Sequence, residues 1–231
     1  MKKLCLVVMM LGLGATPLRA QTPLSFEALL GGNSVCLLES DGPDADALLC
    51  LAIFFGFCYP VAPNACIIAG LGVDGAGNEM SYSNDGEGFL PLGSGKPGAL
   101  AKKSQFFSTT RTALNYLNIP LKGRYRIGKG KIVPYIEAGP SLGILLTAKT
   151  KTESNFSGQT TKDETDVKDG FNSTNLVMQF GGGLIIPVSS VNATVNFTYL
   201  LGLSNIAKSS QFNPEPNVKT RGGRLTVGVM F

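Results

Sequence analysis

Alternating apolar and polar residues recur along most of this 231-residue chain. The stretch 191–203 carries an apolar side chain at every second position, opposed by asparagine and threonine. The stretch 224–231 alternates in the same way and ends on Phe231. A period of two residues is the pattern of a β-strand with one apolar and one polar face. The chain is therefore expected to be all-β.

The same alternation predicts eight strands separated by connections of two lengths. The strands are expected at 24–30, 47–59, 66–73, 113–127, 132–148, 175–186, 191–203 and 224–231. The long connections are polar or glycine-rich and cover 31–46, 75–108, 149–174 and 204–220, of which 75–108 leaves room for strand extensions. The short turns cover 60–64, 128–131 and 187–190. An even strand number with short turns at one rim and long loops at the other is typical of outer-membrane barrels.

The fold expected from this pattern is an eight-stranded antiparallel up-and-down transmembrane β-barrel. A soluble lipocalin-like barrel would have the same period, with its apolar face turned inward. Charged residues make up only 16% of the chain, below the roughly 25% of soluble domains. The polar face also carries many glycines and grouped charges. Both observations favour a barrel whose apolar side chains face lipid.

The N-terminal stretch 1–20 has the features of a secretory signal peptide. Two lysines precede the apolar run 4–13, which is too short to span a bilayer. Cleavage is predicted after Ala20, with Ala15 as the alternative, and leaves 21–231 as the barrel domain. The mature chain is therefore expected in the bacterial outer membrane.

The composition argues against catalysis and against nucleic-acid binding. The chain contains no histidine, the usual general base near neutral pH and the commonest metal ligand. Without the signal peptide its charge is close to zero, and no basic stripe is present. No enzyme activity, cofactor or metal site is predicted.

Four cysteines remain after signal removal, and export favours disulfides over zinc. Cys58 and Cys66 share the inward parity and lie opposite each other if their hairpin centres on Ala62. The preferred pairing is Cys58–Cys66 with Cys36–Cys50. The alternative is that these cysteines are free and buried.

Charged residues on the inward face are the best candidate site. Those expected inside the barrel are Glu27, Lys122, Arg124, Arg126, Glu137 and Arg224. If the 128–131 turn centres on its middle bond, Lys122 lies opposite Glu137 and Arg124 opposite Tyr135. These charges could line a ligand or ion path, or they could plug the lumen. The plug is favoured, because a small barrel has room only for its own side chains.

Several motifs in 113–231 resemble one known family. They are Leu-Asn-Ile-Pro-Leu-Lys at 117–122, Pro-Tyr-Ile-Glu-Ala-Gly-Pro-Ser-Leu-Gly at 134–143, the three glycines at 181–183, the stretch 199–206 and Phe231. This part of the chain is similar to the PorT-like outer-membrane β-barrel family common in Bacteroidota. The resemblance implies an eight-stranded barrel and permits a role in a protein-secretion apparatus. The first third of the chain departs from the family pattern.

The function expected from the sequence is that of an integral outer-membrane barrel, structural or partner-binding, with a plugged polar interior. The alternatives are a narrow porin-like transport or ligand-binding barrel and a secretion-apparatus component. The expected partners are outer-membrane lipid, the barrel-assembly machinery reading Phe231 as an insertion signal, and a protein bound by the external loops, above all 149–174.

Overall fold

The structure is a computed structural model that describes residues 24–39, 46–84, 106–128, 130–156, 159–209 and 217–231. The predicted signal peptide and its cleavage site lie outside these residues, as do parts of the predicted long loops. Within the described ranges, no helix has the length and apolar character needed to cross a membrane.

Ten strands and one short 3-10 helix make up the described chain. They are β1 (Ser25–Glu39), β2 (Asp46–Ala47), β3 (Leu49–Ala62), β4 (Ala65–Asn84), β5 (Phe106–Arg126), β6 (Val133–Phe156), β7 (Gln159–Asp166), the 3-10 helix (Lys168–Gly170), β8 (Thr174–Val188), β9 (Val191–Gly202) and β10 (Val218–Met230).

Eight of these strands close into a ring in which every neighbouring pair is antiparallel. The order around the ring is β1, β3, β4, β5, β6, β8, β9, β10 and back to β1. At the seam between β10 and β1, Phe26 and Phe231 exchange two backbone hydrogen bonds, and their rings stack. The predicted eight-stranded up-and-down barrel is confirmed.

The outer surface of the ring is apolar. Leu225, Val227, Val229 and Phe231, which were predicted to face lipid, are all exposed. The same parity on the other strands exposes Leu49, Leu51, Phe55, Ile67, Leu71, Leu121, Ile136, Leu142, Leu184 and Phe197, among others. Their inward neighbours in sequence are mostly buried. This is the apolar-out arrangement of a membrane barrel.

Several strands are longer than the alternation predicted. β1 runs on to Glu39 through a region predicted as loop, and β4 and β5 run on to Asn84 and from Phe106. The segment 149–174 was predicted to be a solvated loop, which is wrong. β6 continues to Phe156 and pairs with β7 in a hairpin. Both faces of this hairpin meet water, so its strands need no apolar face and show no period-two signal.

Two inward glycines allow close approach inside the narrow ring. A Cβ atom on Gly139 would lie 2.1 Å from the Leu121 carbonyl oxygen. One on Gly183 would lie 2.1 Å from the Val195 carbonyl oxygen and 2.7 Å from the Tyr135 hydroxyl. Gly183 pairs directly with Tyr135. The missing side chain of Gly183 therefore makes room for the Tyr135 ring in the lumen.

Candidate functional site

Four charged side chains form a cluster at the middle of the barrel, the central ion cluster, made of Glu27, Lys122, Arg124 and Glu137. Arg124 donates two hydrogen bonds to the Glu27 carboxylate, at 2.7 and 3.0 Å. It donates two more to Oε2 of Glu137, at 3.0 and 2.8 Å. Lys122 pairs with the other oxygen of Glu137. The four side chains are at most 4% exposed.

The register of β5 against β6 differs from the predicted one by two residues. Arg124, and not Lys122, lies opposite Glu137, and Arg126 lies opposite Tyr135. The last backbone hydrogen bond before the turn runs from the Ile127 amide to the Pro134 carbonyl. The connection is therefore longer than the predicted turn at 128–131. Lys122 still contacts Glu137 because its long side chain reaches diagonally across the strand pair.

Arg224 makes a separate ion pair, with a residue that the sequence interpretation missed. Its Nη1 donates to Asp74 Oδ2 at 2.7 Å, and its Nη2 donates to Gln179 Oε1 at 3.0 Å. Asn118 donates to the other oxygen of Asp74. Asp74 was overlooked because its strand was expected to end at Val73. Its position continues the inward parity of β4, the one sequence signal that could have found it.

Arg126 does not join these groups, contrary to the sequence interpretation. It lies nearer the short-turn rim, where its Nη2 donates to the Pro63 carbonyl at 3.1 Å. With the observed register it is two residues further from the barrel centre than Arg124. Arg126 lines a cavity of about 180 Å³ at this rim, next to Cys58, Cys66 and Met230.

The charges at the centre balance. Glu27, Asp74 and Glu137 contribute three negative charges, and Lys122, Arg124 and Arg224 contribute three positive ones. Neutral groups extend the network: Asn196 donates to Glu137 at 2.9 Å and accepts from Thr198 at 3.2 Å. A buried charge is tolerated when it is paired and hydrogen-bonded. The centre can hold itself together without a bound ion.

An apolar layer fills the barrel on the long-loop side of these charges. Its members are Val35, Leu37, Ala76, Leu114, Tyr116, Leu145, Ala148, Val167, Phe171, Val177 and Leu200. The side chain of Asn78 accepts from the Leu37 amide and donates to the Leu37 carbonyl, both at 2.7 Å. These two hydrogen bonds join β4 to β1 directly, beyond the end of the β3 strand that separates them lower in the ring. The apolar layer is hereafter called the outer cap.

Further buried apolar side chains lie beside the charges and toward the short-turn rim. They are Leu29, Phe54, Cys58, Cys66, Ile68, Val133, Tyr135, Ile185 and Met230.

Two cavities beside the ion pairs measure about 10 and 20 Å³. A single water molecule needs roughly 10–15 Å³. At this level the lumen therefore has space for isolated waters and not for a file of hydrated ions.

The strands that exceed the ring form an external sheet, made of 79–84 of β4, 106–113 of β5, 149–156 of β6, and β7. One face is charged. Glu164 pairs with Lys149 at 2.6 Å and with Lys151 at 3.1 Å, and Lys162 pairs with Glu153 at 2.8 Å. Hydrogen bonds from Lys149 and Lys151 hold the pKa of Glu164 below its usual range. A hydrogen bond from Lys162 likewise holds the pKa of Glu153 below its usual range.

The family model for the outer membrane protein beta-barrel domain matches residues 42–208. The match covers most of the chain. The chain belongs to this family. It is an integral β-barrel of the bacterial outer membrane and is embedded in the lipid of that membrane.

Solved outer-membrane barrels resemble this family member at low sequence identity. Neisserial surface protein A is 12% identical, with 90% of this chain and 95% of that chain covered and a TM-score of 0.44. Ail, the attachment invasion locus protein of Yersinia pestis, is 15% identical, with 91% and 100% covered and a TM-score of 0.38. The N-terminal β-barrel domain of Pseudomonas aeruginosa OprF is 12% identical, with 90% and 97% covered and a TM-score of 0.36. No curated protein matches the sequence.

The cysteines of this outer-membrane barrel are only partly paired. The predicted Cys58–Cys66 disulfide is present and joins β3 to β4 beside the short turn. The predicted Cys36–Cys50 pairing is wrong, since both thiols are free. Cys36 lies on the outward parity of β1, whereas Cys50 pairs with the buried inward residue Asn33. The two thiols therefore face opposite sides of the barrel wall.

Proposed function

We propose that this outer-membrane barrel is a closed scaffold that does not conduct and that presents its external sheet to a partner. The observation that carries this proposal is the filled centre of the lumen, where a neutral ion cluster lies beneath the apolar outer cap. In outer-membrane barrels the long loops face the cell exterior and the short turns face the periplasm. The external sheet, on the long-loop side, then stands outside the cell.

The packing of Arg124 supports a permanently closed lumen and argues against a gated one. The guanidinium is held by two carboxylates from two different strands, and it lies over the Tyr135 ring at 4.1 Å. Removing one partner of a buried ion pair typically costs about 3–5 kcal/mol. A conducting state would have to break several such pairs and also displace the outer cap. This argues against the narrow porin-like barrel, the alternative function.

The external sheet supports the presenting role. Every residue of β7 is exposed, and within the described chain its only strand partner is β6. The strand therefore offers a free edge together with a face of alternating charges. An unpaired strand edge can accept a strand from another protein, and charged side chains restrict which partner fits. We place the partner-binding surface on β7 and on the charged face of β6.

Solute flux into proteoliposomes tests the closed scaffold. The purified barrel, refolded as judged by heat-modifiable gel migration, should leave vesicles as impermeable to sugars as protein-free vesicles. A porin reconstituted in parallel shows that the assay detects flux. Sugar uptake that scales with the amount of folded barrel would contradict the proposal.

The PorT-like assignment, and with it a role in protein secretion, is a second candidate. It is supported by the motifs at 117–122 and 134–143, which occupy β5 and β6 around the central ion cluster. Cross-linking in intact cells followed by purification of the barrel tests it. Recovery of other secretion-apparatus subunits would support the assignment, and recovery of the barrel alone would count against it.

Export and assembly are proposed to follow the usual route of outer-membrane barrels. We place signal cleavage after Ala20 and assign Phe231 to recognition by the barrel-assembly machinery. Phe231 lies at the seam of the ring, where it pairs with Phe26. N-terminal sequencing of the mature protein tests the cleavage site. The amount of folded Phe231→Ala protein in the outer membrane tests the role of the aromatic ring.

A further inference from the structure

Two cations lie on the outward face of β10, beyond the apolar stretch that faces lipid. Lys219 and Arg221 are both exposed, whereas Thr220 between them is buried in the lumen. Their side chains therefore point away from the barrel. Among the described residues, neither cation forms an ion pair with a carboxylate. No carboxylate of the described residues neutralises their charges.

Arg221 is held in place by its neighbours on both sides. Its Nε donates to the hydroxyl of Tyr199 on β9, and its guanidinium lies 5.9 Å from the centre of that ring. Its carbonyl accepts from the Cys36 thiol on β1 at 3.1 Å. Tyr199 takes the Nε–H, and within the described chain the Nη groups of Arg221 donate to no protein acceptor. A tyrosine beside a cation at the edge of an apolar band is typical of a membrane interface.

The height of Arg221 places it at the outer edge of the membrane. It lies ten residues from Phe231 along an extended strand, at about 3.4 Å per residue. With the roughly 40° tilt of membrane barrels this corresponds to about 25 Å along the membrane normal, the height of the apolar band. Since Phe231 is at the periplasmic end, the cations reach the headgroups of the outer leaflet.

Each of the two cations is paired with an exposed leucine on a neighbouring strand. Leu38 is paired with Lys219, and Leu201 with Arg221, and both leucines are exposed. A ligand here must therefore offer an anion to the cations and a hydrocarbon surface to the leucines. An acidic soluble protein would have to approach through the acyl chains.

We propose that Lys219 and Arg221 bind a phosphate of a phosphorylated glycolipid in the outer leaflet. Guanidinium groups bind phosphate oxygens bidentately, and Lys219, two residues along the same face, adds a second charge. Tyr199 is a positioning residue that holds the Arg221 guanidinium toward the headgroup. This inference rests on the membrane location and is independent of whether the lumen is closed.

The test measures binding of diphosphorylated lipid A to the full-length barrel in phosphatidylcholine nanodiscs, by native mass spectrometry. The variant K219Q/R221Q should bind about thirtyfold more weakly, since each cation near an anionic membrane surface contributes roughly a factor of five. The variant Y199F should bind a few-fold more weakly. The control K131Q removes an exposed cation in the short connection between β5 and β6, at the rim opposite the outer leaflet. It should change binding less than twofold.

Three further measurements separate the sources of the signal. Lipid A without phosphates should bind to the native barrel as weakly as diphosphorylated lipid A binds to K219Q/R221Q, and inorganic phosphate should not compete at millimolar concentration. Equal binding of the dephosphorylated lipid, full competition by inorganic phosphate, or equal weakening by the K131Q control would each overturn the proposal. Heat-modifiable migration verifies that every variant is folded before its binding is measured.

Discussion

Replacing Glu137 by glutamine removes one of the two carboxylates that neutralise the central ion cluster. In the native barrel Glu137 accepts hydrogen bonds from Lys122, Arg124 and Asn196. Arg124 would keep its two bonds to Glu27. Lys122 has no other carboxylate within ion-pair distance in the described chain. The substitution therefore leaves Lys122 as a buried cation without an anionic partner.

The expected loss follows from this geometry. Breaking a buried ion pair by removing one member costs about 3–5 kcal/mol. A loss of about 3 kcal/mol lowers the ratio of folded to unfolded protein more than a hundredfold. Glutamine keeps the shape of the side chain and one acceptor oxygen, so the effect measures charge and not packing.

The assay is reversible urea unfolding of the barrel in lipid vesicles, followed by heat-modifiable gel migration. The double variant K122Q/E137Q restores neutrality and should recover more than half of the loss caused by E137Q. The control E164Q removes a carboxylate from the exposed face of the external sheet. It should cost no more than about 1 kcal/mol, as exposed ion pairs do.

Two results would refute this reasoning. E137Q could lose less than 1 kcal/mol, which would mean that Lys122 finds water or another partner. K122Q/E137Q could be as unstable as E137Q, which would mean that the stabilisation comes from shape and not from charge balance.

Three other changes have defined outcomes. The Cys58–Cys66 disulfide closes a loop with a sequence separation of eight. Its reduction should lower the free energy of unfolding by about 2.5 kcal/mol in the chain-entropy model. Urea titrations with and without reductant measure this loss. Gly183→Ala should lower the free energy of unfolding by about 1–3 kcal/mol because it overpacks the lumen. In the control Gly123→Ala the new Cβ would meet nothing closer than 4.0 Å, so the same titration should show a loss under about 0.5 kcal/mol. Because its lysine partners lower the pKa of Glu164, its ion pairs stabilise β7 above the unfolded carboxyl pKa of about 4.3 and are lost as pH falls through the lower folded value. Amide exchange in β7 corrected for its intrinsic pH dependence should therefore rise only in that acidic range, and a rise near pH 7 would contradict it.

The membrane wall could be predicted from the sequence because lipid imposes the alternation. Phe55, Phe197 and Leu225 must be apolar to face hydrocarbon, and their neighbours must be small or polar to fit the lumen. This constraint acts at every second residue, so the eight strands of the ring and their faces could be found without a structure.

The parts outside the lipid escaped prediction because no such constraint acts there. β7 is polar on both faces and carries no period-two signal. Asp74 was missed because the glycine-rich sequence after Val73 hid the continuation of β4. The pairing of Arg124 with Glu137 depended on the length of one connection, and a change of two residues moves every pair along β5 and β6. Charge type and inward parity could be predicted, but contacts could not.

Single-channel recording in planar lipid bilayers tests the closed lumen most directly. The folded barrel, added from detergent at both polarities and up to 100 mV, should give no stable conductance steps above the noise of protein-free bilayers. Stable steps of uniform size, present with folded protein and absent with the heat-unfolded sample, would contradict a lumen filled by its own side chains.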